Sequence, residues 1–382
     1  MKVSMLAKSA AVALVFGLVA STPAHAVDLS GSGASFPTNL IEACKAPFAT
    51  ASGHTYTYAS GSSSTGRGNA DKAIGDFWFT DAAHTAATKP ATIIHIPAVA
   101  APVGVLHNLP SRKELALSAS TIAGIFAGTI TKWNDPAIIK DNNRTTNKIT
   151  YKTKNGVIVK DSKGDPIVTK TTPVTLSYTN LPNKTIKVIY RSEGSGTSEN
   201  FTNYLNKTSP TIWPNVKNAT FATSFPGKLT DPANLGRMTS ISTSQGVAQL
   251  ASKTPYSITY AETSFAKSNG LKVASVFNAS GNAVAPTAAS TSAFLSQAAM
   301  DANGIVTFDY ETKEKGAYTL GIVSYMLVNT AYADKTRGAA VKSLVQYLIS
   351  PACAKDKGAA LDFAPLDGEF LTKANALVAR IG

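Results

Sequence analysis

Residues 184–205 read KTIKVIYRSEGSGTSENFTNYL. An apolar, β-branched run ends at Tyr190, and a helix-like run, SENFTNYL, closes the stretch. Between them sit Arg191, Glu193, two glycines and three small hydroxyls. A strand feeding a helix through such a turn is the building unit of an α/β fold. Glycine lets backbone N–H groups swing toward a ligand. A helix N-terminus adds unpaired N–H donors and partial positive charge. The turn is therefore suited to an anion, although ordinary N-capping by Ser or Thr explains one such turn equally well.

The same design occurs twice more, in GSGASFP (31–37) and GSSSTG (61–66). Three in one chain favour an anion site over three unrelated caps. Around them, strand-like and helix-like runs alternate. VDLSGSGAS predicts a strand and glycine turn, and FPTNLIEACKAPFATA a helix with Pro37 in its first turn. HTYTYAS predicts a strand, and DFWFTDAA a buried strand ending in Asp81. TIIHIPAVAAPVGVLHN predicts apolar strands crossing between two domains. SASTIAGIFAGTITKWNDPAIIK reads as helix, turn and short helix, and SQGVAQLASKTPYSITYAETS as helix then strand. TLGIVSYMLVN is a buried strand, and KTRGAAVKSLVQYLISPACAKDKGAALDF is mostly helical. Residues 145–180 differ. They alternate Thr and Lys with Val and Ile around an Asn155-Gly156 turn signal, which predicts a solvated β-ribbon.

Familiar nucleotide motifs do not fit. Residues 31–36 lack the third glycine of a dinucleotide fingerprint, and no segment reads as a Walker loop. SEGSGTS is not a nucleophile elbow, and no His lies beside the three turns to serve as a base. His54, His84, His95 and His107 are dispersed and read as structural; no Cys/His cluster has metal spacing. No metal and no cofactor are expected. Arg191 can form two parallel hydrogen bonds to an oxyanion. Asp81, when ionised, can only accept. A carboxylate facing an anion makes sense where the anion carries a proton. Phosphate near neutral pH keeps a P–OH to donate, and sulfate does not, so a buried Asp81 would reject sulfate. The plainer alternatives are a turn cap for Asp81 and an ion pair with Glu193 for Arg191.

The 382 residues carry a formal charge of +13. Residues 1–26, MKVSMLAKSAAVALVFGLVASTPAHA, have Lys2 and Lys8, a short apolar run and a small-x-small ending. They read as a signal peptide cleaved after Ala26. The mature charge is then 13 − 2 = +11, which favours anionic partners. The basic residues are scattered and form no nucleic-acid motif. Cys44 and Cys353 are the two cysteines. In an exported chain they predict one disulfide joining the first helix to the C-terminal segment, two unpaired buried thiols being the alternative.

SGSGASFP, GSSSTG, DFWFTDA, GTITKWND, RSEGSGTSENFTNYL and SQGVAQLASKTPYSITYAE together resemble, in order, the periplasmic phosphate-binding protein family of phosphate ABC transporters. The resemblance covers nearly all of the mature chain. It implies a two-lobed periplasmic binding protein fold of type II. Lobe I would comprise residues 27–100 and 325–382, and lobe II residues 101–324, with the ribbon at 145–180 an insertion. It implies a monomer without enzymatic activity that binds inorganic phosphate in the periplasm and delivers it to membrane subunits. An exported phosphatase and a surface or adhesion protein are the alternatives. Carried over by position, Ser35 and Ser63 would give hydroxyls and Phe36 a backbone N–H. Asp81 would accept the phosphate proton and Arg191 would pair with its charge. Ser195, Gly196 and Thr197 would supply hydroxyls and N–H groups, with Glu193 supporting Arg191. The family usually has Thr at position 35, Gly at 62 and Asp at 193.

Overall fold

The computed structural model describes residues 26–110, 114–154, 157–162 and 165–382. The leader read at 1–26 lies outside the described residues except for Ala26, and so does the Asn155-Gly156 turn. The first half of the chain forms β1 (Asp28–Ala34), α1 (Thr38–Ser52), β2 (Thr55–Gly61), α2 (Ser63–Asp71), β3 (Phe77–Thr80) and β4 (Ile93–His107). A ribbon follows, β5 (Thr145–Tyr151) and β6 (Val168–Thr175). Then come β7 (Lys187–Arg191), α3 (Gly196–Thr208), β8 (Met238–Ile241), α4 (Ser244–Lys253), β9 (Ser257–Glu262), α5 (Thr263–Asn269) and β10 (Lys272–Phe277). The C-terminal part adds β11 (Gly321–Asn329), α6 (Lys335–Ile349) and α7 (Gly368–Val378). Helices Ala119–Ala127, Pro136–Asp141 and Ala288–Leu295 and several short strands connect these.

The strands run in the order β8-β7-β9-β4-β11-β3-β1-β2. At one end β2, β1 and β3 are parallel, and at the other β8, β7 and β9 are parallel. Each parallel set needs helical crossovers and so forms its own α/β lobe. The antiparallel pair β4 and β11 joins them. Ile93–Pro102 of β4 pair with β11, and Val103–His107 pair with β9. The result is a mixed α/β, two-lobed fold. The apolar run expected as several crossing strands is one strand of 15 residues, buried along its whole length. A strand packed on both faces has no polar face to display, which explains the unbroken apolar sequence.

Close approach explains Gly33, whose φ is +135°. A Cβ there would lie 2.2 Å from the Phe79 carbonyl oxygen on β3. Cys44 on α1 is disulfide-bonded to Cys353, just beyond α6, with Cα atoms 5.6 Å apart. The C-terminal segment is mostly helical, as expected, but it is not one continuous helix. Pro351 ends α6, and a π-turn (Pro351–Lys355) and a short 3-10 turn follow. The ribbon is not freely solvated. Tyr151 donates to Glu314, the Ala283 N–H donates to Thr146 Oγ1 at 2.8 Å, and Lys160 pairs with Asp367 at 2.9 Å. The Thr/Lys alternation marks only its outer face.

Candidate functional site

The predicted turns converge between the lobes. Ser62 caps α2 by accepting from the Thr65 N–H at 3.0 Å. Ser195 caps α3 by accepting from the Ser198 N–H at 3.2 Å. Each hydroxyl keeps its own proton to donate. Both helices therefore start with their free N–H groups at the interlobe seam. The two starts touch: the Ser64 N–H donates to the Gly194 carbonyl at 3.1 Å. A Cβ on Gly196 would lie 2.6 Å from Ser63 Oγ and 2.8 Å from the Ala82 nitrogen. Only glycine lets the lobes meet this closely.

Asp81 lies one residue beyond β3 and is 2% exposed. Its Oδ2 accepts from Thr197 Oγ1 at 3.2 Å, across the seam, and from Ser63 Oγ at 3.5 Å. The Asp81 N–H donates to Ser63 Oγ at 3.2 Å. Ser324 on β11 donates to Oδ1. Asn200 holds the loop by donating to the Asp81 carbonyl at 2.6 Å. Burial pushes the carboxyl up to about 6; the Ser324 hydrogen bond, the Arg191 charge, and the Thr197 and Ser63 hydroxyls pull against it. Above about pH 6 the group is an ionised acceptor inside a shell of donors.

Arg191 ends β7 and is also 2% exposed. Its Nε donates to Glu193 Oε1 at 2.7 Å, Nη2 donates to the same oxygen, and Nη1 donates to Ser244 Oγ at 3.1 Å. The same Glu193 oxygen accepts the Thr243 N–H at 3.0 Å. Glu193 thus fixes one edge of the guanidinium and ties it to the start of α4. The ion pair read as an alternative role for Arg191 is present, and Nη1 on the remaining edge is held by Ser244. Ser35, just before α1, accepts from the Ser244 N–H at 2.9 Å and donates to Ser244 Oγ at 3.2 Å. Phe36 is buried with its ring edge-on to Phe363, centroids 6.4 Å apart.

Ser35, Ser63, Asp81, Arg191, Glu193, Ser195, Gly196 and Thr197 therefore border one seam, and Phe36 follows Ser35 with its ring turned into the core. Two further residues join them. Ser244 opens a fourth helix, α4, in a turn without the glycine pattern of the other three. Its cap, Thr243, has φ +65°, a costly conformation for a β-branched residue. That feature is invisible in sequence. Ser324 sits in the apolar strand TLGIVSYMLVN, where a fully buried hydroxyl was the one available signal. His84 and His95 lie in a structural cluster, with His84 paired to Asp71 at 2.6 Å and His95 Nε2 accepting from the His84 N–H at 2.8 Å.

A sequence model described as the PBP superfamily domain matches residues 19–352. The chain belongs to the PBP superfamily. Among PBP-type relatives, it is 29% identical over 382 residues to the phosphate-binding protein PstS of Pasteurella multocida, covering 97% of this chain and 95% of that one. It is 30% identical over 292 residues to the phosphate-binding protein PstS3 of Mycobacterium bovis, covering 74% of this chain. It spans 65% of the length of that relative. The fold is similar to that of a periplasmic phosphate-binding protein (PfluDING) bound with phosphate. There the TM-score is 0.65 at 21% identity, covering 91% of this chain and 93% of the other.

Proposed function

We propose that this PBP-superfamily chain is an exported binding protein that captures inorganic phosphate between its lobes and delivers it to the membrane subunits of an ABC transporter. The observation that carries the reading is that Asp81 and Arg191 are both buried at one donor-rich seam, Asp81 bonded to Thr197 and Arg191 to Ser244. A cation and aligned N–H groups select an oxyanion, and a buried acceptor selects one that still carries a proton. In this reading Ser35, Ser63, Ser195 and Thr197 contribute hydroxyls, and Phe36 and Gly196 contribute N–H groups. Relatives carrying the phosphate-binding name at 29–30% identity support it.

The lobes are assigned to residues 27–100 with 325–382, and to 101–324. Binding proceeds by closure about β4 and β11, which removes water from the anion and strengthens each hydrogen bond to it. The relatives named above are binding proteins, and the reading assigns no reaction to the seam. Titration calorimetry with phosphate and with sulfate tests it. Tight phosphate binding with much weaker sulfate binding at about pH 8 is expected. Equal affinity for the two anions would overturn the role given to Asp81, and absence of phosphate binding would overturn the function.

A further inference from the structure

β11 brings to Asp81 a side chain that no turn motif marks. In the β3–β11 pair Thr80 lies opposite Tyr325, so Asp81, the next residue, comes beside Ser324. On its other edge β11 pairs with β4, and the register slips there. Ser324 pairs with Val99 and Tyr325 with Pro97, leaving Ala98 as the extra residue. Pro97 has no N–H for the ladder, and a bulge of this kind re-aims the side chains around it. Ser324 is fully buried and donates to Oδ1 of Asp81. The cradle hydroxyls of Ser63 and Thr197 both meet the other oxygen, Oδ2.

We propose that Ser324 is a positioning residue for anion selection: its hydroxyl pins Oδ1 of Asp81, so that Oδ2 alone faces the cradle to accept the proton of a bound oxyanion. This rests on the phosphate reading above. The chemistry follows from what each partner can donate. A hydroxyl facing a carboxylate donates, and that bond stabilises the ionised form. Without it, Asp81 protonates at higher pH, and the neutral carboxyl becomes a donor. A donor at that position welcomes sulfate as readily as phosphate.

Ser324 leads the groups that pull the Asp81 carboxyl down, ahead of Arg191 on β7. The other titratable groups on the surrounding elements do not compete. Tyr58 on β2 is held well above its ordinary range by burial and by Asp81, so it stays neutral. Tyr325 on β11 is raised by burial, so it stays neutral, and its hydroxyl accepts from the Val306 N–H at 3.0 Å. Arg67 on α2 and Glu199 on α3 pair with one another at 3.5 Å. His95 on β4 lies opposite Leu327, beyond Tyr325.

The test compares wild type, Ser324→Ala and Ser324→Thr in phosphate and sulfate titrations from about pH 5.5 to about pH 8.5. Wild type should lose its preference for phosphate as pH falls through about 6. Ser324→Ala should lose it about one pH unit higher, which is roughly a tenfold lower phosphate-to-sulfate ratio near neutral pH. Ser324→Thr, which keeps the hydroxyl, should follow wild type. Ser324→Cys, a weaker donor of similar size, should fall between them and serves if the alanine variant does not fold. An unshifted profile in Ser324→Ala, or in Ser324→Cys if the alanine variant is unfolded, overturns the proposal, even with uniformly weaker binding. A wild type that binds sulfate as tightly as phosphate at about pH 8 overturns the underlying reading instead.

Discussion

A carboxylate as deeply buried as Asp81 works against the fold that holds it. In the unfolded chain it titrates near its ordinary value of 3.8, and in the folded chain near 6. Between those values the folded state binds more protons. The Asp81 contribution to stability is therefore greatest below the unfolded value and is lost as pH rises through about 6. Asp81→Asn keeps an acceptor for Ser63, Thr197 or Ser324 without the buried charge. It should raise stability at neutral pH by about 1–3 kcal/mol in denaturant unfolding, while phosphate-over-sulfate selection collapses in calorimetry. Arg191 carries the opposite balance. Arg191→Ala leaves Glu193 and any bound anion without their cation. Phosphate affinity should fall by about 2–5 kcal/mol in the same titration, the cost of breaking a buried charge pair. Both residues were legible in the sequence by type and by place, one after a buried strand and one before a glycine turn. Glu193 was legible only as a partner of Arg191. Its second task, accepting the Thr243 N–H, joins residues 50 positions apart.

At the scale of elements, the seam is a meeting of helix starts. α2, α3 and α4 begin there, each capped by a hydroxyl, and Ser35 just before α1 meets Ser244. The close fit of α2 against α3 depends on Gly196. Gly196→Ala places a methyl within 2.6 Å of Ser63 Oγ. Gly196 opens α3 rather than lying inside it, and the added methyl also overlaps the Ala82 backbone nitrogen at 2.8 Å, so circular dichroism should show a folded chain that melts a few degrees lower. Phosphate affinity should nevertheless drop by at least about tenfold, because the lobes can no longer approach. The three glycine turns were readable because strand, turn and cap are local patterns. α4 was not readable as part of the site, since its turn has no glycine pattern. Its place comes from β8 lying beside β7, a pairing of distant segments. The ribbon was readable as β structure, but its seat on Glu314 and Asp367 depends on residues more than 160 positions away.

At the scale of the whole molecule, β4 and β11 hold the lobes together, and the Cys44–Cys353 disulfide ties the first helix to the C-terminal segment. The bond spans 309 residues of sequence. Cross-links over so long a loop constrain the unfolded chain, by about 2–5 kcal/mol. The Cys44→Ser/Cys353→Ser double variant should melt several degrees lower in calorimetry. Its phosphate affinity should stay within about twofold of wild type, because neither cysteine is among the residues that border the seam. The sequence by itself determined the α/β class and marked the three anion-suited turns, Asp81 and Arg191 as candidate anion contacts, and the two cysteines as a candidate pair. These rest on short-range spacing, on side-chain chemistry and on there being two cysteines. Only the tertiary structure decided that β4 is a single crossing strand, that Ser244 bridges Ser35 and Arg191, and that Ser324 pins one oxygen of Asp81. Those contacts join residues up to 243 apart. They depend on strand order and on one slipped register, which no local pattern encodes.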